Sequence, residues 1–164
     1  MKKQAYQSRN DLHENTRRAM IDILNRQLAD ALDLGLQAKQ AHWNVKGPHF
    51  IGLHELFDDV AEGVEEFIDN IAERAVQLGG TALGTIQTIC RNSRLPAYPL
   101  DLVSGIGHVR KLTASLAAFA ATTRAAIDTA GKAGDADTAD LFTEVSRSVD
   151  KLLWMVEAHL KSKD

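Results

Sequence analysis

The sequence predicts an all-α fold, a four-helix bundle with one long crossover between its second and third helices. Three observations carry that expectation. Apolar residues recur at three- and four-residue spacing in four long stretches, glycine or proline interrupts the chain between them, and the connections run short, long, short. The composition agrees: 45% hydrophobic residues with only 5% aromatic, 11 Gly and 3 Pro suit an Ala- and Leu-rich helical protein. A chain of 164 residues is the right length for one domain with a substantial core. Residues 1–10, polar and carrying Lys2, Lys3 and Arg9, read as a short mobile arm, and residues 11–164 as the bundle.

Taken in order, the first helix has Asn10 or Asp11 as its expected N-cap. Ile21, Leu24, Leu28, Ala31, Gly35, Ala38 and His42 then mark one inward face. His42 ends that series and should therefore point inward. Gly47-Pro48 breaks the helix, and a second one is expected over 51–78, with Leu53, Phe57, Val60, Val64, Ile68, Ile71 and Ala75 apolar on one side. Gly79-Gly80 closes it. The stretch from Thr81 to Pro99 is too long for a turn, and its apolar piece 82–90 is expected to form a small helix. A third long helix starts near Asp101 and buries Leu102, Ile106, Val109, Leu112, Leu116, Phe119 and Ile127 before Gly131 and Gly134. The fourth begins near Asp137 and buries Leu141, Val145, Leu152 and Val156. Four long helices with one crossover describe the ferritin-type bundle.

Charge and cysteine usage narrow the function classes. A net charge of -3 with 25% charged residues does not suggest a dedicated nucleic-acid binder, although it leaves room for a local basic arm. The single cysteine, Cys90, cannot form an intramolecular disulfide, which points to a reducing cytoplasmic setting; Cys90 itself reads as a small buried hydrophobe. The N-terminal residues have no apolar core of the kind a signal peptide needs, and no run reaches membrane-spanning length, so no membrane partner is expected.

The most informative feature lies on the second helix. His54, Asp58, Glu62, Glu65, Asp69 and Glu73 fall in one stripe bordering its apolar face. Taken alone, an acidic stripe is more often a solvated face than a metal site. This one mixes histidine with carboxylates, a ligand set suited to divalent metals. His54 and Asp58 are four apart, as are Asp69 and Glu73, so each pair projects from one face. The pairs are eleven residues apart, a rise of about 16 Å, so one chain cannot bring both to one ion. An antiparallel two-fold dimer can, by setting the His54/Asp58 end of one helix against the Asp69/Glu73 end of its mate. His42 is the natural additional nitrogen ligand. The paired Glu-x-x-His motifs of in-bundle di-iron proteins are absent from the sequence, so the ligands must lie elsewhere.

QAHWNVKGPHFIGLHELFDD followed by ERAVQLGGTALGT resembles the Dps family, the mini-ferritins that protect DNA during starvation. The similarity continues through Tyr98-Pro99-Leu100-Asp101 to DTADLFTEVSRSVDKLLWM, essentially the whole chain beyond the arm. The resemblance implies a ferroxidase centre between two-fold-related subunits, with His42, His54 and Asp58 from one chain and Asp69 and Glu73 from the other. It also implies a hollow homododecamer that oxidises Fe(II), preferentially with hydrogen peroxide, at a centre that can take two irons, and stores Fe(III) mineral. Trp43 stands where the family has a tryptophan near the centre, and either quenches stray oxidising equivalents or packs in the core. The alternative in a different class is an architectural DNA-binding cage whose metal site is secondary.

Other features carry a plainer reading beside the functional one. Glu62, Glu65 and Glu66 either attract iron or line the interior, or, the favoured reading, are ordinary surface charge. Asp135, Asp137 and Asp140 either cap the fourth helix, with Asp137 and Asp140 approximating a capping box, or line a pore that draws Fe(II) inward. His13, His49, His108 and His159 read as surface or locally hydrogen-bonded histidines, and Trp154 and Met155 as core or subunit contact. For DNA, the candidates are Lys2, Lys3 and Arg9, with Lys161 and Lys163 near the C-terminus. Repetition across a shell would multiply these contacts but also the negative charge, so only weak binding is expected.

Overall fold

The computed structural model describes residues 8–160, and it is all-helical there. Helices α1 (Glu14–Asn44), α2 (Phe50–Gln77), α4 (Gly105–Lys132) and α5 (Ala136–Glu157) form the bundle, with the short α3 (Ile86–Asn92) inside the crossover. A single 3₁₀ turn, Ala158–Leu160, follows α5. The expected four long helices and crossover are all present. Helix α1 packs along α2 and α4 along α5, while α1–α4 and α2–α5 contacts close the bundle. Phe57, Phe119 and Phe142 are fully buried at its centre. Each contributes about 1.5–3 kcal/mol through removal from water.

Helix ends differ from the sequence expectations wherever a side-chain cap decides them. Helix α1 starts at Glu14, because His13 Nδ1 accepts from the Asn15 N–H at 3.2 Å, while Asn10 is occupied with the Leu12 N–H. Ser8 donates to the Gln77 carbonyl at 3.3 Å, so the polar segment is already attached to the body at residue 8; Lys2 and Lys3 lie outside the described residues. Helix α4 begins at Gly105 rather than near Asp101. The Lys46 N–H bonds the Val103 carbonyl at 3.1 Å and holds that strand-like piece extended, and Ser104 Oγ then caps Gly107. Helix α5 is capped by Asp135, two residues before the expected start. The crossover helix runs 86–92 rather than 82–90, since Asn25 on α1 bonds both Thr81 and Leu83 and keeps the preceding segment irregular.

Gly79 and Gly80 do close α2, and here glycine is required. Gly79 has φ +89°, Gly79 N–H bonds Val76 and Gly80 N–H bonds Ala75, the double hydrogen bond of a Schellman turn. A Cβ on Gly80 would stand 2.7 Å from Ile21 and 2.8 Å from the Ala75 carbonyl.

Several burial expectations fail, among them Leu102 and Ile127, which are only partly buried. Cys90 is exposed, because α3 rests on α1 through Ile89 and the next residue faces outward. Ile106 is exposed on the first turn of α4, and Leu141 is only partly buried, with Phe142 taking the core position beside it. Among the described residues, no helix is long and apolar enough to cross a membrane.

Candidate metal centre

The end of α1 and the start of α2 run antiparallel across the Gly47 turn, which brings His42 and His54 face to face. Their rings stack at 3.7 Å between centroids and 23° between planes. Each also bonds the other's main chain: His42 Nδ1 lies 2.7 Å from the His54 carbonyl and His54 Nδ1 lies 2.9 Å from the His42 carbonyl. A carbonyl oxygen only accepts, so both Nδ1 atoms carry the proton. In the neutral ring Nε2 is then the lone-pair donor, the tautomer a metal ligand needs, oriented by the same kind of backbone bond that metal-ligating histidines commonly use. The Phe50 ring packs on the far side of His54, 5.1 Å away.

Asp58, one turn beyond His54, carries the anionic side of this corner. One carboxylate oxygen lies 4.0 Å from His42 Nδ1 and is hydrogen-bonded by the Lys39 ammonium. That ammonium holds the Asp58 carboxyl below the usual carboxylate range, with smaller help from the positive charge His42 and His54 can carry. Reciprocally, the bond to Asp58 raises the Lys39 pKa. Lys39 precedes His42 by three residues and so shares its face of α1. That spacing is the sequence signal for it, although a pattern of electron-pair donors does not include a cation.

Asp69 and Glu73 are exposed further along α2, with Glu62, Glu65 and Glu66, also exposed, between the two ends. Among the described residues, no group of three or more His, Cys, Asp or Glu converges in a form ready to hold an ion within one chain. The structure thus brings His42, His54 and Asp58 together, with Asp58 turned to Lys39. It leaves Asp69 and Glu73 to face outward.

The ferritin-like domain family matches residues 21–163. The DNA protection during starvation protein of Agrobacterium fabrum is 46% identical over 158 residues, covering 96% of this chain and 98% of that one. Among solved structures, Mycobacterium smegmatis Dps superposes with a TM-score of 0.92 at 30% identity, covering 98% of this chain and 96% of that one. Dps from Vibrio cholerae, described as a member of a broad superfamily of ferritin-like diiron-carboxylate proteins, gives 0.86 at 25% identity over 92% and 94%. This chain belongs to the Dps family.

Membership in the Dps family frames the remaining candidates. Trp43 is 65% exposed, so core packing within its own chain is excluded; it stands at the surface beside His42. Asp135, expected as a cap or a pore residue, is a cap. It is 1% exposed, accepts from Thr138 N–H at 3.0 Å, and is bound by Arg74 at 2.8 Å, which closes it to solvent. Asp137 and Asp140 remain exposed. Of the basic candidates, Arg9 is exposed and lies within the described residues. Trp154 is exposed and Met155 partly buried against the core. His13 caps α1, His159 bonds Met155, and His49 is exposed at the start of α2. His108 takes the second of its two readings: it is hydrogen-bonded to Tyr98 and 1% exposed.

Proposed function

We propose that this Dps-family chain oxidises Fe(II) and stores the Fe(III) product. In this reading His42, His54 and Asp58 form half of a ferroxidase centre, completed by the partner subunit's Asp69 and Glu73. The observation that carries it is the reciprocal histidine pair, whose Nδ1–H bonds orient the two rings and make Nε2 the metal-binding nitrogen of each neutral imidazole, with the Asp58 carboxylate 4.0 Å from His42 Nδ1. Substrate Fe(II) displaces the Lys39 ammonium from Asp58, exchanging one cation for another without leaving the carboxylate unpaired. Carboxylates favour Fe(III) over Fe(II), so binding makes the ion easier to oxidise. A small number of imidazoles keeps the centre open to incoming iron. Hydrogen peroxide is the preferred oxidant, and its two-electron reduction at paired irons gives water rather than hydroxyl radical. Twelve copies in a closed shell supply the storage volume.

The relative from Agrobacterium is named for DNA protection. Removing iron and peroxide protects DNA without contact, and the net charge of -3 per chain opposes binding to a phosphate backbone. Strong DNA binding at physiological salt is not part of this reading.

Mixing tests the shared centre. His54→Ala/Asp58→Ala subunits and Asp69→Ala/Glu73→Ala subunits are each inactive alone. Equal parts, reassembled, recover about a quarter of the wild-type rate of Fe(II) oxidation, since half of random two-fold pairs are mixed and each mixed pair regains one of its two sites. Mixed shells, verified by mass, that stay inactive would refute the shared geometry.

A further inference from the structure

Behind the histidine corner lies a second aromatic pair that iron binding does not use. Tyr98 stands between Pro96 and Pro99 in the last part of the crossover, and His108 is in the first turn of α4. Lys111 and Gln37 both bond the Pro96 carbonyl, at 2.9 and 3.3 Å, and fix this segment on the bundle. Tyr98 Oη and His108 Nδ1 are 2.6 Å apart, a short contact between a half-buried tyrosine and a buried histidine. The direction of the proton can be assigned. A phenol is the stronger hydrogen-bond donor and an imidazole nitrogen the stronger acceptor, which puts the ring proton on Nε2, where no hydrogen-bond partner is found among the described residues. With that proton on Nε2, Nδ1 is the acceptor and the phenol O–H the donor. Burial pushes the Tyr98 phenol well above its ordinary range and the His108 imidazole below its own, so both are neutral at working pH.

A neutral phenol bonded to a neutral, buried imidazole has a specific chemical use. Removing an electron from a half-buried phenol alone would leave a cation that its surroundings solvate less well than water does. A base already in contact lets the proton leave with the electron. The pair also has a route to the centre: the fully buried Phe57, the residue before Asp58, has its ring 6.2 Å from that of His108. We propose that Tyr98 and His108 form a proton-coupled one-electron relay, which takes up single oxidising equivalents escaping from the iron centre and returns them to Fe(II). The relay's physiological use rests on the ferroxidase reading above.

The electron balance closes. One Fe(II) reduces hydrogen peroxide by one electron, giving Fe(III), hydroxide and a hydroxyl radical. An electron from Tyr98 reduces that radical equivalent to hydroxide while the phenol proton passes to His108 Nδ1, leaving a neutral tyrosyl radical. A second Fe(II) then reduces the tyrosyl radical, the proton returns from Nδ1, and the phenol is restored. The sum is two Fe(II) oxidised by one peroxide to two Fe(III) and two hydroxide ions, with no radical released.

The chain has two tyrosines, Tyr6 and Tyr98, so Tyr6→Phe leaves Tyr98 as the sole source of a tyrosyl signal. In that background, photosensitised one-electron oxidation of the iron-free protein should give a tyrosyl radical by electron paramagnetic resonance, narrowed when ring-deuterated tyrosine is incorporated. Its formation should slow in D₂O. His108→Gln keeps an acceptor but not a base, and should slow radical formation by about a hundredfold, the lower range for a positioned proton acceptor. A merely structural His108 would change the melting temperature and leave this rate alone. No tyrosyl signal, or an unchanged rate in folded His108→Gln, overturns the relay whatever the iron centre does. Freeze-quenching after mixing with Fe(II) and peroxide, with Fe(III) absorbance followed in parallel, tests the link. Normal iron oxidation with a tryptophan radical alone overturns it in favour of a tryptophan relay. Absent iron oxidation counts against the centre, while the photochemical arm still decides the pair.

Discussion

Helix α1 carries two polar stations about three turns apart, and they are built in opposite ways. At Asp30 the carboxylate is fully buried and saturated: it accepts from the Arg94 backbone N–H at 2.7 Å and from its guanidinium at 3.0 and 2.6 Å. That contact, with Asn25 and Gln37 on the same helix, pins the crossover to the bundle. At His42 the donors are aimed but not used up. Each ring's Nδ1 is fixed by a carbonyl, each Nε2 is left over, and the nearby carboxylate is held by a lysine that can swing away. A charge closed by its own chain is an element of stability, whereas an oriented, incompletely satisfied set at a surface corner is available to a ligand.

That contrast makes predictions at both stations. The largest stability effect should come from Arg94→Ala, which leaves the buried Asp30 carboxylate with only a backbone donor and should cost about 3 kcal/mol. Urea unfolding measures it, and the rate of iron oxidation per folded shell should not change. A cost below about 0.5 kcal/mol, the range of ordinary surface substitutions, would erase the distinction between the stations.

His42→Ala with His54→Ala should do the converse. Iron oxidation should fall by at least about tenfold, the lower range seen even for outer-shell changes around a metal. The shell should stay assembled by light scattering. Dissociation into smaller species would mean that the reciprocal histidine bonds chiefly hold the hairpin together.

The smallest effect belongs to Lys39→Met. Asp58 is lowered by the ammonium, so the pair's stabilisation exists above the ordinary carboxylate range and is lost as pH falls through the folded Asp58 value. Lys39 is raised by Asp58, so the same stabilisation is lost again as pH rises through the folded lysine value. Unfolding midpoints of variant and wild type should differ slightly at neutral pH and converge in acid. Fe(II) should bind the variant more tightly in calorimetry, because no ammonium competes for Asp58. Weaker binding would show that Lys39 positions the carboxylate rather than guarding it.

How much of this was legible beforehand differs between fold and centre. The four helices and the crossover followed from apolar spacing, and α2 was placed within a residue at each end. Starts that depend on a particular side chain reaching a particular N–H, as at Ser104 and Asp135, were displaced by one to four residues. Periodicity registers which face is apolar and is silent about capping geometry. For Cys90, a residue type usually buried was read from composition, yet a seven-residue helix has only one residue to bury. At the centre, His42, His54 and Asp58 were found as a potential donor set. The interlocked histidine bonds and the lysine on Asp58 were not, because each joins two helices.

The sequence by itself therefore determined the helices, their order, the position of the long crossover, and the presence of histidines and carboxylates on the right faces. Tertiary structure decided which of those charges are closed and which are open. Asp30 meets Arg94 across 64 residues and His42 meets His54 across 12. Neither pairing is implied by spacing within a helix; each exists only once α1 is packed against a distant part of the chain, the crossover for Asp30 and α2 for His42.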